Sequence, residues 1–164
     1  MSQGGDYLAL TWPKAVVTTV SEALEEMEAM TELSTVRVAI EASFGAPTAA
    51  SPDQWSADNP ASGHCDVASF VAWEHLGGDL VLGEVHRTDG TFQEHHYWNR
   101  VDGVDVDLTR DQFRCGEVIT ETQVLSAGYL RDNQDALKAD VRERIARFRE
   151  VVAAHLDGPE PQPG

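Results

Sequence analysis

The sequence predicts an α+β domain in which helices pack against an antiparallel sheet. The first observation is a block of strand-like segments at residues 79–109, interrupted only by the turn signals "TDG" and "DG". Short turns between strand-like segments are typical of hairpins. The second observation is the helical spacing of apolar residues on both sides of this block.

Length and charge limit the classes of protein to consider. A chain of 164 residues favours one domain with one core, and 41% hydrophobic with 24% charged residues is ordinary for a globular protein. Twelve basic against 28 acidic residues give a formal net charge of −16. This charge repels phosphate backbones and anionic membranes, so neither nucleic acid nor membrane is an expected partner.

The compartment is predicted from the N-terminus and the cysteines. The opening "MSQGGDYLALTWPKAVV" lacks a basic segment followed by an apolar one, so no secretory signal is predicted. Apolar runs stay well below the roughly 20 residues of a membrane span. With only two cysteines, a disulfide framework is not indicated. We therefore expect a cytoplasmic protein with free thiols.

Two helices are predicted before the strands. An amphipathic helix is expected over residues 13–30 and a second over residues 35–44, where "GAP" ends it. The first helix belongs to a predicted N-terminal extension, residues 1–34, and the main domain is predicted at residues 35–157. The apolar positions of the first helix are Val16, Val17, Val20, Leu24, Met27 and Met30.

A long irregular connection leads into a third helix. Residues 45–63 are rich in Pro, Ala, Ser, Asp and Gly, and loops of this length in a compact domain are often functional. The next helix begins at about Asp66 and ends at the "GG" of residues 77–78. Cys65 is therefore expected at the first turn of a helix.

Three antiparallel strands follow this helix. They are "DLVLGEVHR", "TFQEHHYWNRV" and "VDVDLT", and a helical turn is predicted at "TRDQF". Residues 114–125 are ambiguous, with a further strand as one possibility. A last helix is expected at about residues 135–156, followed by a disordered tail at residues 158–164.

Cys65 has two interpretations. A thiol attacks as the thiolate, and its pKa falls at a helix N-terminus or beside an imidazolium. Under this interpretation Cys65 is a nucleophile that needs a histidine from another element. Free cysteines are also among the most buried residues, so the alternative is a small apolar residue in the core.

Strand alternation selects His96 as the partner. A two-residue turn at Asp102 and Gly103 places His96 on the same face as Asp107, at diagonal positions about 7–8 Å apart between Cα atoms. His95 then faces the other side, and a bulged turn would reverse this choice. An imidazole can take a thiol proton and return it to a leaving group, while a carboxylate orients the imidazole. Asp107 can also cap the helical turn that follows it.

The remaining site candidates are less sharply defined. The backbone N–H of Cys65 is the first candidate for stabilising an oxyanion, and Gln54, Asn59 or His64 can add a side-chain donor. Trp98 is a candidate substrate contact, although packing is its commoner role. Ligand spacings typical of zinc sites do not occur, so neither a metal nor another cofactor is expected.

The motifs resemble those of the YunG-like family of small bacterial proteins. The matching pieces are "NPA" at 59–61, "GHC" at 63–65, "GG" at 77–78, "HYWNR" at 96–100, "DG" at 102–103 and "DLTRDQF" at 107–113. The resemblance spans about residues 35–150. One departure is His64, where the family pattern has glutamine.

The order of Cys65, then "HYW", then "DLT" is also similar to transglutaminase-like and papain-like cysteine enzymes. This likeness implies a papain-like or transglutaminase-like fold and a triad of Cys65, His96 and Asp107. The likeness supplies no substrate. Covalent chemistry at Cys65 calls for a small-molecule or peptide substrate with an acyl group, and this group passes through a thioester to water or to an amine. The alternative function is a non-catalytic acidic interaction module. Substrate identity and oligomeric state stay open.

Overall fold

The computed structural model describes residues 19–158 as a mixed α+β fold. Short 3₁₀ turns occur at Ala46–Thr48, Pro52–Gln54, Arg110–Gln112 and Gln134–Ala136. In chain order, the main elements are α1 (Val20–Ala42), α2 (Cys65–Leu76), β1 (Asp79–His86), β2 (Phe92–Val101), β3 (Val104–Val106), β4 (Val118–Leu125), α3 (Ala127–Asp132) and α4 (Ala139–Asp157).

The four strands form an antiparallel sheet in the order β3-β2-β1-β4. The three predicted strands are confirmed, and the ambiguous segment supplies β4, which pairs with β1. Arg100 lies opposite Asp105, and Val101 opposite Val104, as the two-residue turn predicted. The predicted helical turn at "TRDQF" is also confirmed, as 3₁₀ geometry at Arg110–Gln112.

The main core lies between one face of the sheet and the helices α1, α2 and α4. Ile40, Val71 and Phe148 are fully buried there. A polar contact fixes α2 on the sheet, because the Asn99 side-chain amide donates to the Ser69 carbonyl at 2.8 Å. Since side chains alternate along β2, His96 projects from the opposite face to Asn99.

The two helices predicted before the strands are one continuous helix, α1, within the described residues. The sequence between them contains no Gly or Pro. The Thr31 and Thr35 hydroxyls donate to the carbonyls four residues earlier, at 2.9 Å each, so these polar residues are accommodated within the helix. The predicted start at residues 13–18 lies outside the described part. The domain division at residues 34 and 35 stays a prediction.

The first half of α1 exposes its apolar residues. Met27 is 64% exposed and Val20 is 79% exposed. Leu33 is the first residue of α1 that packs, partly buried, against the core, and Val36 is the first core residue of α1 that is buried. The amphipathic pattern therefore identified a helix whose apolar face is not covered by the described residues.

The C-terminal part differs from its prediction in two respects. A short helix, α3, precedes the long one, and Ser126 caps it by accepting the N–H of Tyr129 at 3.2 Å. Helix α4 then begins at Ala139 rather than near residue 135. Residues 159–164, most of the predicted tail, lie outside the described part. Within residues 19–158, no helix combines the length and apolarity that crossing a bilayer requires.

Candidate active site

Cys65 is the first residue of α2 and lies against the edge of β2. Strand β3 pairs only with Asn99 to Val101 of β2, so it does not extend as far as Tyr97. There the Cys65 sulfur accepts the backbone N–H of Tyr97. Tyr97 directly follows His96, so the start of α2 and the His96 segment of β2 meet at this point.

The environment of Cys65 disfavours its thiolate. Burial raises the pKa of the thiol to about 12, and the carboxylates of Asp66, Glu94 and Asp107 act in the same direction. The N–H of Tyr97 opposes them. The sequence-based expectation of a lowered pKa at a helix start is therefore wrong. Desolvation and three carboxylates outweigh the helix terminus, so removal of the thiol proton requires a base.

His96 and Asp107 form the pair that strand alternation predicted. His96 Nε2 lies 2.7 Å from Asp107 Oδ2, and the histidine ring is fully buried. Asp107 Oδ1 also accepts the backbone N–H of Thr109 at 3.2 Å. The carboxylate thus contacts the ring of His96 and the backbone of Thr109. Thr109 is the N-cap of the 3₁₀ turn and no side chain caps it, so Asp107 holds the segment before the turn rather than capping the turn itself.

Aromatic rings enclose His96. The Trp98 ring stacks on it with centroids 5.7 Å apart, and the edge of Phe113 approaches at 4.9 Å. Gly83 makes room for Trp98, since a Cβ there would lie 2.7 Å from the indole ring. Trp98 also lines a pocket of about 390 Å³ beside Asp107. The other residues lining this pocket are Asp105, Arg110, Ile119 and Glu121.

The remaining nitrogen of His96 faces a residue to which the sequence assigned no role. The side-chain nitrogen of Gln112 lies 3.3 Å from His96 Nδ1. Gln112 belongs to the "DLTRDQF" motif, and this membership is the one feature of the sequence that could have identified it as a site residue. The Asn59 side-chain amide donates to the backbone carbonyl of Gln112 at 3.1 Å. Asn59, a candidate oxyanion donor, is therefore already hydrogen-bonded within the protein. Gln54 lies exposed in its 3₁₀ turn.

His64 occupies a structural position. Its Nδ1 lies 3.0 Å from the Ser62 carbonyl, and its Nε2 lies 3.0 Å from the Thr48 hydroxyl and 3.1 Å from the Gly45 carbonyl. The ring is fully buried and packs against Phe148. Both nitrogens are therefore engaged with the loop before α2, a setting different from the one that an oxyanion donor needs.

Replacing His64 by glutamine is expected to weaken the acid sensitivity of folding. Burial lowers the pKa of His64 from its ordinary value of 6.5. The unfolded chain therefore takes up a proton as the pH falls below about 6.5, while the folded ring stays neutral, and this favours unfolding. Urea unfolding at pH 7 and pH 5 measures the effect. An equal loss of stability in wild type and His64→Gln would exclude His64 as the responsible group.

Arg144 is a second residue that the sequence analysis missed. Its guanidinium pairs with both carboxylate oxygens of Asp66, at 2.7 and 3.1 Å. It also donates to the carbonyl of Thr48 at 3.1 Å and to that of Gly63 at 2.8 Å. Arg144 therefore ties α4 to the start of α2 and to the preceding loop. The available signal was an arginine next to Ile145, an apolar residue of the predicted last helix.

The second cysteine lies apart from Cys65 in the chain, and the other possible metal ligands are His, Asp and Glu side chains. Cys115 is exposed and lies between the Arg110–Gln112 turn and β4. Among residues 19–158, no group of three or more His, Cys, Asp or Glu side chains is arranged to hold a metal ion. Cys65 meets β2 at the Tyr97 N–H, and the neighbouring His96 pairs with Asp107. Thiol, imidazole and carboxylate are the groups that covalent acyl transfer uses.

Comparison with known proteins supports the resemblance at the level of the family. A family model described as "YunG protein" matches residues 32–157. A relative from Bacillus subtilis (strain 168), "Uncharacterized protein YunG", is 30% identical over 107 residues, which are 65% of this chain and 82% of the relative. No solved structure matches.

Proposed function

This chain belongs to the YunG family, and we propose that it is a thiol-dependent acyl-transfer enzyme of papain-like or transglutaminase-like type. Cys65 is the nucleophile, His96 the proton acceptor and Asp107 the residue that orients His96. The observation that carries the proposal is the His96–Asp107 pair at 2.7 Å, one residue from the Tyr97 N–H that the Cys65 sulfur accepts.

The hydrogen bonds support Nδ1 as the basic nitrogen of His96. An ionised carboxylate only accepts, so His96 Nε2 carries the proton that is shared with Asp107. Nδ1 then holds the free lone pair. Because the pKa of the Cys65 thiol is raised to about 12, its proton moves to Nδ1 as the sulfur attacks, rather than leaving beforehand.

The reaction runs in two balanced halves. The Cys65 sulfur bonds to the substrate carbonyl carbon, its proton passes to His96, and an oxyanion forms. When the oxyanion collapses, the bond to the leaving group breaks and the leaving group takes the proton from His96. Water or an amine then attacks the thioester and gives a proton to His96, which returns it to the departing sulfur.

The oxyanion is held by backbone N–H groups at the start of α2. The first N–H groups of a helix have no partner within the helix and carry partial positive charge. The N–H of Cys65 is the donor that we assign. Water as acceptor gives a hydrolase for amides or esters, and an amine gives an amide-forming transferase. The substrate is a small molecule or peptide with an acyl group.

Acetylation by p-nitrophenyl acetate tests the proposal. In a Cys115→Ser background, we expect one acetyl group on Cys65, seen by intact-mass and peptide mass spectrometry. Neutral hydroxylamine should remove it, because it cleaves thioesters and leaves amides. Cys65→Ala should release no burst of p-nitrophenolate, whereas Cys115→Ser should match wild type. If Cys65 is acetylated no faster in the folded protein than in the urea-unfolded chain, the proposed enzymatic function is wrong.

A non-catalytic acidic interaction module is the second candidate. The observation that favours it is the exposed apolar side of α1, with Leu24 and Met27 among acidic residues such as Glu28 and Glu32. Exposed apolar patches often mark contact sites for other proteins. A protein with this role alone should show no acetylation of Cys65 above that of the unfolded chain, so the same experiment separates the two functions.

A further inference from the structure

The basic nitrogen of His96 is not free in the substrate-free structure. Gln112 directs its side-chain nitrogen at Nδ1, at 3.3 Å, while Asp107 occupies Nε2 at 2.7 Å. Trp98 and Phe113 cover the ring, which has no exposed surface. Since Nε2 donates to Asp107, Nδ1 acts as acceptor and the Gln112 amide as donor.

The segment that carries Gln112 is fixed by the site itself. The Gln112 backbone N–H donates to the Thr109 carbonyl at 3.1 Å, and the Thr109 N–H donates to Asp107 at 3.2 Å. From the other side, the Asn59 amide donates to the Gln112 carbonyl at 3.1 Å. The turn is therefore held between the carboxylate of the triad and the loop before α2.

This turn is also a surface segment. Asp111 is exposed, and Gln112 and Phe113 are half-buried. Displacing the Gln112 side chain therefore exposes little apolar surface and breaks one neutral hydrogen bond at Nδ1. Gln112 is the hydrogen-bond partner of Nδ1, the nitrogen that receives the Cys65 proton in the proposed function.

We propose that Gln112 is a positioning residue that caps Nδ1 of His96 until substrate displaces it. The inference rests on the proposed function, in which Nδ1 accepts the Cys65 proton. While the cap is in place, Nδ1 cannot take that proton, because its single lone pair is engaged by the amide. Displacement frees the lone pair and leaves the amide N–H available to the incoming substrate.

Substitutions at Gln112 have opposite expected effects on the acetylation rate of Cys65 by p-nitrophenyl acetate. Gln112→Ala removes the cap and should raise the rate about fivefold, the range that one neutral hydrogen bond carries. Gln112→Glu should lower the rate, because a carboxylate at Nδ1 favours a proton already on that nitrogen. Asp111→Ala, on the same turn, should leave the rate unchanged. General damage to the fold would lower all three rates.

Asn59→Ala tests the same contact between Gln112 and His96 indirectly. It removes the contact to the Gln112 carbonyl, so it should raise the acetylation rate in the same direction as Gln112→Ala but by less. This variant decides the question if Gln112→Ala does not fold, as judged by circular dichroism. If the folded Asn59→Ala variant is acetylated at an unchanged or lower rate, the proposal that Gln112 caps Nδ1 is wrong.

His96→Gln separates failure of the cap from failure of the proposed function. If His96→Gln acetylates at the wild-type rate, the proposed function is wrong, whatever Gln112 does. If His96→Gln is slow while Gln112→Ala and Asn59→Ala show no increase, the cap alone is wrong.

Discussion

Replacing His96 by glutamine is expected to slow acetylation of Cys65 by about a hundredfold or more at neutral pH. The pKa of the Cys65 thiol is raised to about 12, so almost none of it is thiolate at pH 7. The reaction then depends on a base that removes the proton during the attack. The Cys115→Ser background ensures that a single thiol is measured.

The pH dependence of the His96→Gln variant provides a sharper test. Without a base, only the thiolate reacts, and its fraction rises about tenfold per pH unit below its pKa. The residual rate should therefore climb with pH toward about 12, and the deficit relative to wild type should shrink. Asp107→Asn should show a smaller loss than His96→Gln, because the base remains but its orientation is weakened. Equal rates in wild type and His96→Gln at pH 7 would contradict the triad.

Replacing Arg144 by alanine is expected to lower the free energy of unfolding by about 3 kcal/mol. The side chain of Arg144 is only 15% exposed and that of Asp66 is 25% exposed. The substitution leaves the Asp66 carboxylate and the carbonyls of Thr48 and Gly63 without their shared donor. Buried polar groups that lose their partner lower the free energy of unfolding by more than an exposed ion pair raises it.

Arg147 provides the matched control on the same helix. It pairs with Glu143 at 2.6 Å, but the two side chains are 58% and 65% exposed. Arg147→Ala should therefore cost only about 0.3–0.5 kcal/mol. The loss of stability in Arg144→Lys should lie between those of Arg144→Ala and Arg147→Ala, because an ammonium cannot reproduce the forked contacts of a guanidinium. Urea unfolding measures all three variants. A loss for Arg144→Ala no larger than for Arg147→Ala would show that this contact does not stabilise the fold.

The relation of His96 to Asp107 was predictable because it depends on local rules. Asp102 and Gly103 both adopt positive φ angles, 49° and 78°, as a two-residue hairpin turn requires. The turn fixes the register, and the alternation of side chains fixes the face. The start of α2 at Cys65 was likewise predictable from the residues around it.

The exposure and electrostatics of the site were not predictable in this way. The pKa of Cys65 is set by burial and by carboxylates from α2, β2 and the segment after β3. The role of His64 depends on its contact with Thr48 and Phe148, which come from different parts of the chain. The residue type alone allowed both a donor to substrate and a structural residue.

The sequence by itself determined the family, the α+β class and the pairing of His96 with Asp107, because these depend on motifs, periodicity and one tight turn. Only the tertiary structure decided that the Gln112 amide lies against Nδ1 of His96 and that Arg144 holds the start of α2. Arg144 reaches its partner Asp66 across 78 positions of the chain. Contacts over such distances depend on how the helices and the sheet pack, and no local pattern records them.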